Sequence, residues 1–175
     1  MFSVKILNPV GFSPESLIKV NTAKDAIEKV FNSDKFKDAI LNFTYDGNKT
    51  FFYRRTVFGN PLDHRYTNEE VFDLLMKAEE NSGNADSGSM DLYLILLQEV
   101  NSGVVGYGNP DCKEIYTYRN WFETFTVAEY AGHITHEWTH KLGFDPSFHY
   151  NRKRKYSVPY AIGDMVEAFI ETTVA

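Results

Sequence analysis

Four of the five histidines in this 175-residue chain lie between positions 133 and 149. Two of them, His136 and His140, are four residues apart, and Glu137 follows the first, which gives the pattern H-E-x-x-H. Residues four apart on a helix lie on one face, about 6 Å from each other, so two imidazoles there can converge on one cation. Glu137 projects beside them, within reach of a water bound to that cation. The spacing therefore predicts a metal centre.

Zinc is the metal that this pattern predicts. A catalytic zinc has three protein ligands and one water in an open tetrahedral site. Zinc lowers the pKa of its water toward about 7, and Glu137 can accept the proton as general base. The resulting hydroxide attacks a carbonyl carbon, so the predicted chemistry is hydrolysis. Cys112 is the single cysteine, which excludes a cysteine-rich zinc module and leaves imidazole and carboxylate as ligands.

The helix that must carry these side chains has clear ends in the sequence. Thr126-Val-Ala-Glu129 is a capping box, which predicts a helix start, and Gly143 predicts its end. A separate side of this helix is apolar and suits core packing. That side comprises Val127, Tyr130, Ile134 and Trp138.

The other elements predict an α+β fold with a small mixed sheet. Apolar or alternating runs predict strands, and Asn48–Arg54 reads as extended. The strand segments are Ser3–Leu7, Met90–Gln98 and Glu114–Arg119. Polar capping residues predict helices in the first half of the chain. These caps are Thr22 for a helix over Ala23–Phe31, Ser33 for the next helix, and the capping box Thr67–Glu70.

The length favours one domain over residues 1–175, with an N-terminal portion at 1–81 and a core at 90–175. The polar stretch Asn81–Ser89 is the candidate seam between them. Hydrophobic residues make up 43% and aromatic residues 15%, which excludes a disordered chain. The formal charge of −6 argues against a broad nucleic-acid surface.

The segment at the N-terminus has no basic start followed by an apolar run, so we expect no secretory signal. No window approaches 18 apolar residues, and we therefore expect no membrane partner. A cytoplasmic protein is the expectation, although export without a leader would give the same sequence.

The segment His136-Glu-Trp-Thr-His-Lys-Leu-Gly-Phe144 resembles the active-site helix of the zincin metallopeptidases. The glycine three residues after His140 is similar to the metzincin branch, whose longer pattern is H-E-x-x-H-x-x-G-x-x-H. The resemblance covers Met90 to Ala175, about half the chain. It implies a zincin-like catalytic domain with an antiparallel edge strand, an active-site helix and a C-terminal helix.

The same resemblance implies where substrate and metal would lie. Gly103–Pro110 occupies the place of the glycine-containing edge strand, along which an extended peptide would bind at Val104–Tyr107. Ser157–Gly163 would form the turn beneath the metal, before a helix that begins near Asp164. The activity it implies is cleavage of peptide bonds, and the partner it implies is a protein or peptide substrate.

The third metal ligand departs from the metzincin pattern, because Pro146 stands where the third histidine is expected. His149 is the predicted ligand, returned to the metal by a longer turn. Asp145 is one residue too early but carries a suitable carboxylate. Glu167 would suit the gluzincin branch, although a capping box at Asp164–Glu167 would also explain it.

Other residues near the motif have weaker predictions. Tyr160 resembles tyrosines that donate to the developing oxyanion in some zincins, with Tyr156 and Tyr150 as competitors. His133, one turn before His136, is predicted to pack or to support the ligands from behind. His64 is predicted to be a surface residue.

The leading hypothesis is a zinc-dependent metallopeptidase. The alternatives are a non-catalytic metal-binding effector, a metal-free interaction domain that recruits a partner at its edge strand, and cleavage of a small-molecule amide or ester.

Overall fold

The computed structural model describes residues 1–52, 54–57, 60–62, 66–83, 87–101, 103–145 and 153–174. The strands in chain order are β1 (Ser3–Ile6), β2 (Arg54–Val57), β3 (Asn60–Leu62), β4 (Ser89–Leu97), β5 (Gly106–Gly108), β6 (Glu114–Tyr118) and β7 (Phe144–Asp145). The α-helices are α1 (Pro14–Phe31), α2 (Asp34–Leu41), α3 (Asn68–Lys77), α4 (Arg119–Thr124), α5 (Val127–Lys141) and α6 (Val158–Val174). The predicted α+β class is confirmed.

The larger sheet has four strands in the order β1-β4-β6-β5. Strands β1, β4 and β6 are parallel, and β5 pairs with β6 in the antiparallel sense at the edge. A small mixed sheet with an antiparallel edge strand is therefore confirmed. A second sheet of three short strands has the order β3-β2-β7.

Local signals place most helix ends correctly. Ser33 caps α2, and the capping boxes at Thr67 and Thr126 open α3 and α5. The predicted start at Thr22 is wrong: Ser13 caps α1 and Pro14 occupies its first turn, while the Thr22 hydroxyl donates to the carbonyl of Ile18 inside the helix. A Ser-Pro pair is a strong start signal because proline lacks only an N–H that is unpaired there anyway.

Helix α6 begins earlier than predicted, at Val158 instead of near Asp164. The chain is extended at Ser157, and Pro159 fits the first helical turn because its N–H is not needed there. In the segment Asn48–Arg54, predicted as extended, residues 48–52 contain a bend and no strand, and β2 starts only at Arg54. Within the described ranges, no helix combines the length and the apolar character that a bilayer crossing requires.

Aromatic side chains join α5 to the sheet and to α1. Phe2 and Phe31 stack with ring centroids 4.6 Å apart, and the Trp138 ring packs edge-on against both. All three are buried. Burying large apolar side chains contributes about 2 kcal/mol each, so this cluster fixes the rear of α5 firmly.

A buried charge pair holds the same face of α5. Lys141 Nζ lies 3.1 Å from Glu80 Oε2, and the two side chains are 0% and 1% exposed. Trp138 donates its indole N–H to the other carboxylate oxygen of Glu80 at 3.0 Å, and Lys141 also donates to the carbonyl of Lys113. An ion pair removed from water is stable only when both partners remain.

We predict that Lys141→Met lowers the free energy of unfolding by about 3 kcal/mol, because Glu80 keeps a buried charge without its cation. Glu80→Gln should cost a similar amount, while the double variant should recover about 2 kcal/mol because neither charge remains. Urea unfolding of the four proteins measures this. Arg119→Met, which breaks the exposed pair with Glu123, is the control and should change stability by less than about 1 kcal/mol. Strictly additive losses in the double variant would contradict the pairing.

Candidate metal centre

Helix α5 brings the side chains of the H-E-x-x-H sequence together. Nε2 of His136 lies 3.3 Å from Nε2 of His140. One ligand atom from each of His136, Glu137 and His140 lies within 4.8 Å of the others, and in the described part of the chain these three form the group that could hold a metal ion. The prediction of a metal-compatible cluster at these residues is confirmed.

Backbone carbonyls orient both imidazole rings. Nδ1 of His140 lies 2.6 Å from the carbonyl oxygen of Phe144, and because a carbonyl only accepts, Nδ1 donates. The backbone of Pro159 acts on His136 in the sense that favours a proton on the ring, which only its carbonyl can do since proline has no N–H. Nε2 of His136 faces His140, so we assign the proton of His136 to Nδ1. Each neutral ring then presents the bare lone pair of Nε2.

Burial keeps the two histidines neutral. It is the largest cause that lowers the pKa of His136 well below its ordinary value, and the nearby charges of His140, His133 and Arg154 lower it further. Burial also lowers the pKa of His140, although the bond to Phe144 opposes this. A histidine must be neutral to bind a metal, so both groups are ready to act as ligands near pH 7.

The separation of the two nitrogens fits a tetrahedral zinc. Zinc–imidazole bonds are about 2.0–2.1 Å long, and two such bonds at the tetrahedral angle separate the nitrogens by about 3.3–3.4 Å. The observed separation is 3.3 Å. Two lone pairs at this distance repel each other unless a cation lies between them. Two imidazoles with a neighbouring carboxylate are also a donor set that zinc accepts.

Glu137 is buried, at 7% exposure, between α5 and the edge strand. Its Oε2 accepts a hydrogen bond of 2.7 Å from the N–H of Gly108 in β5. Burial raises the pKa of Glu137 to about 7, and the bond from Gly108 partly offsets this. A carboxylate with a pKa near the working pH can both accept and return a proton.

Two glycines allow β5 to lie directly on α5. A Cβ on Gly106 would stand 2.8 Å from Nε2 of His133, and one on Gly108 would stand 2.6 Å from the carbonyl oxygen of Glu137. Any side chain at these positions would push the strand off the helix. The glycines that suggested an edge strand therefore also permit the contact between Gly108 and Glu137.

A second pair of glycines brings α6 against α5. A Cβ on Gly163 would lie 2.9 Å from the carbonyl oxygen of Gly132, and a Cβ on Gly132 would lie 3.0 Å from that of Gly163. This crossing places Tyr160 beside the metal-compatible cluster. The Tyr160 ring meets the His136 ring edge-on at a centroid distance of 4.4 Å. The Arg154 guanidinium covers the Tyr160 ring at 4.8 Å.

The cluster opens into a cleft of about 300 Å³ between β5, α5 and α6. His136, Glu137 and Tyr160 line it, together with His133 and Val105. Its far wall is acidic and includes Glu129, Asp164 and Glu167. Its volume lies at the lower end of the range for small-molecule sites.

The candidates for the third ligand are only partly described. His149, the predicted ligand, lies outside the described residues, as does His64. Asp145 lies opposite Arg54 in the pairing of β7 with β2. Its charge partly offsets the burial that lowers the pKa of His140, but Asp145 is not part of the metal-compatible group.

Glu167 lines the cleft, and the capping box that was expected to explain it is wrong, because Asp164 lies inside α6 and not at its start. A Cβ added to Gly132 would lie 3.2 Å from Oε2 of Glu167. Gly132 lies on α5 one helical turn before His136. Glu167 therefore sits on the side of His136 that faces away from His140.

Two supporting contacts were not expected from the sequence. Thr117 in β6 bonds His133, and Gly108 in β5 bonds Glu137. Both contacts join residues that are distant along the chain. The sequence signal for them is the spacing of Gly106 and Gly108, which indicates that another element lies close to this strand but does not identify it as α5.

No known protein-family model matches this chain, and no curated protein matches it in sequence. The likeness to the zincin metallopeptidases therefore rests on the residues quoted above. The structure agrees with it at the level of a metal-compatible cluster in an α+β fold with a small mixed sheet.

We predict that Gly163→Ala lowers the free energy of unfolding by about 2 kcal/mol, although alanine is the better helix former by about 1 kcal/mol. The added methyl would press on Gly132 and on Cβ of His136, at 3.1 Å. Gly103→Ala is the control, since its nearest neighbour would be 3.7 Å away and no loss is expected. Equal or higher stability of Gly163→Ala in urea unfolding would refute the close helix crossing.

Proposed function

We propose that this protein is a zinc-dependent metallopeptidase. The observation that carries the proposal is the pair of Nε2 atoms of His136 and His140, 3.3 Å apart, with the Glu137 carboxylate beside them at the wall of a cleft. Zinc bound there would supply a Lewis acid and a water of lowered pKa. Packing alone does not require two facing imidazole lone pairs and a buried glutamate at one point.

Glu137 would act as general base and then as proton donor. Burial raises its pKa to about 7 without a metal, which makes the carboxylate basic enough to take up a proton. The bond from Gly108 fixes one carboxylate oxygen and leaves Oε1 for this work. Tyr160, whose ring packs on His136 in the same cleft, would donate its hydroxyl to the developing oxyanion.

β5 is the outer strand of the larger sheet in the part of the chain that the structure describes, which supports an extended peptide as the substrate. Tyr118 donates its N–H to the carbonyl of Val105, whereas the N–H of Gly108 turns to Glu137. Alternate residues of an antiparallel strand face its partner, so Gly106 and Gly108 direct their backbone groups away from β6. A substrate strand would pair on this side with the backbone of Gly106 and the carbonyl of Gly108, because the N–H of Gly108 is engaged by Glu137. Val104 and Tyr107 are exposed next to it.

His149 remains our proposal for the third ligand. The chain leaves β7 beside the metal cluster, since the Phe144 carbonyl bonds His140. Five residues can span up to about 17 Å, which is enough for His149 to return to the two Nε2 atoms. Glu167, on the other side of His136, is the alternative.

We predict that Glu137→Gln keeps one zinc per chain but lowers kcat for peptide hydrolysis by about 10³-fold, because glutamine cannot accept the proton. The measurements are zinc content by mass spectrometry and cleavage of a denatured protein or a fluorogenic peptide library. Glu123→Gln changes an exposed glutamate of α4 in the same way and should leave kcat unchanged. If Glu137→Gln hydrolyses as fast as the natural chain, Glu137 is not the general base and the proposed mechanism is wrong. If the natural chain binds zinc and hydrolyses no peptide, a non-catalytic metal-binding protein becomes the better description.

We further predict that His149→Ala weakens zinc binding by at least about 100-fold in a chelator competition, while Glu167→Gln and Asp145→Asn change it by less than about 10-fold. The physical reason is the loss of one of three protein bonds to the metal. Thermal unfolding of the metal-free variants controls for damage to the fold. A larger loss in Glu167→Gln than in His149→Ala would instead assign the ligand to α6.

A further inference from the structure

His133 is a buried histidine that lies outside the metal-compatible cluster of His136, Glu137 and His140. It lies on α5 one turn before Glu137, lines the same cleft and has a side chain only 7% exposed. The backbone of β5 approaches it so closely that only glycine fits at position 106. A leucine would fill such a site at lower cost, so the imidazole needs a chemical explanation.

The two nitrogens of His133 face two different groups. Nε2 lies 3.1 Å from the hydroxyl oxygen of Thr117, which is buried on β6. Nδ1 lies 3.7 Å from Oε1 of Glu137. The other oxygen of Glu137 is already bonded to Gly108. The glutamate therefore stands between a strand N–H on one side and an imidazole nitrogen on the other.

The position of the proton on His133 follows from these neighbours. Burial lowers the pKa of His133 to about 4, so the ring is neutral near pH 7 and carries one proton. If that proton were on Nε2, the lone pair of Nδ1 would face the lone pairs of Oε1 in the ionised form of Glu137, which is the form that acts as base. A hydroxyl can donate as well as accept, so Thr117 can donate to Nε2 and leave the proton on Nδ1. Electrostatics favours this second arrangement.

We propose that His133 is a positioning residue, which donates from Nδ1 toward Oε1 of Glu137 and keeps that carboxylate turned to Nε2 of His136 and His140. Thr117 holds the His133 ring in the tautomer that has its proton on Nδ1. The contact of 3.7 Å is longer than a hydrogen bond, and catalytic contacts are often long in the free protein and tighten when substrate binds. The placement of the proton is independent of catalysis. The effect on rate rests on the proposed function.

The first test is nitrogen NMR of the histidine rings in the metal-free full chain. We expect the proton of His133 on Nδ1, a weakened preference in Thr117→Val, and the natural preference in Thr117→Ser, which keeps the hydroxyl. A proton on Nε2 in the natural chain would overturn the proposal. This result stands even if the protein hydrolyses no peptide, so failure of the positioning role and failure of the proposed function are told apart.

The second test compares three replacements of His133 in the zinc-loaded protein. His133→Phe keeps the ring volume but has no donor, and we expect kcat to fall about 10- to 100-fold with unchanged KM and zinc content. His133→Asn places an amide N–H near the position of Nδ1 and should restore most of kcat, whereas His133→Gln reaches toward Thr117 and should not. Unchanged kcat in His133→Phe would refute the role. Thr117→Val gives the same comparison if the Phe variant does not fold, with a kcat loss expected and Thr117→Ser as its rescue.

Discussion

The close packing of α5 between the edge strand and α6 is the constraint on which the site depends. Four glycines create it: Gly106 and Gly108 on β5, Gly132 on α5 and Gly163 on α6. A side chain at any of them would meet backbone or a polar group at about 3 Å or less. Because the three elements approach this closely, backbone N–H and carbonyl groups come within reach of the polar side chains on α5.

Those backbone groups account for the chemistry of the cluster. The side chains of His136, Glu137 and His140 would be costly to bury without polar neighbours, and each has a backbone group close to it. Carbonyls of Phe144 and Pro159 leave Nε2 of the two histidines bare, and the N–H of Gly108 holds Glu137. The rear of the helix is fixed by the pair of Lys141 and Glu80, so the front cannot rotate to relieve the repulsion between the imidazoles.

The sequence predicted what depends on local spacing. The H-E-x-x-H cluster, the capping boxes at Thr67 and Thr126, and the antiparallel edge strand follow from residues within a few positions of each other, and all are present. The starts of α1 and α6 lie earlier than predicted because Ser13-Pro14 and Pro159 favour the first turn of a helix at those positions. The bonds from Thr117 and Gly108 depend on strand register and helix packing, which no local pattern contains.

We propose that His136 and His140 bind one zinc through Nε2. X-ray absorption at the zinc edge of the purified full chain measures which atoms surround that zinc. The account predicts one zinc per chain, bound only by nitrogen and oxygen atoms at about 2.0–2.2 Å, with the outer scattering of at least two imidazole rings. A protein that retains no zinc, or a zinc shell without imidazole scattering, would contradict it.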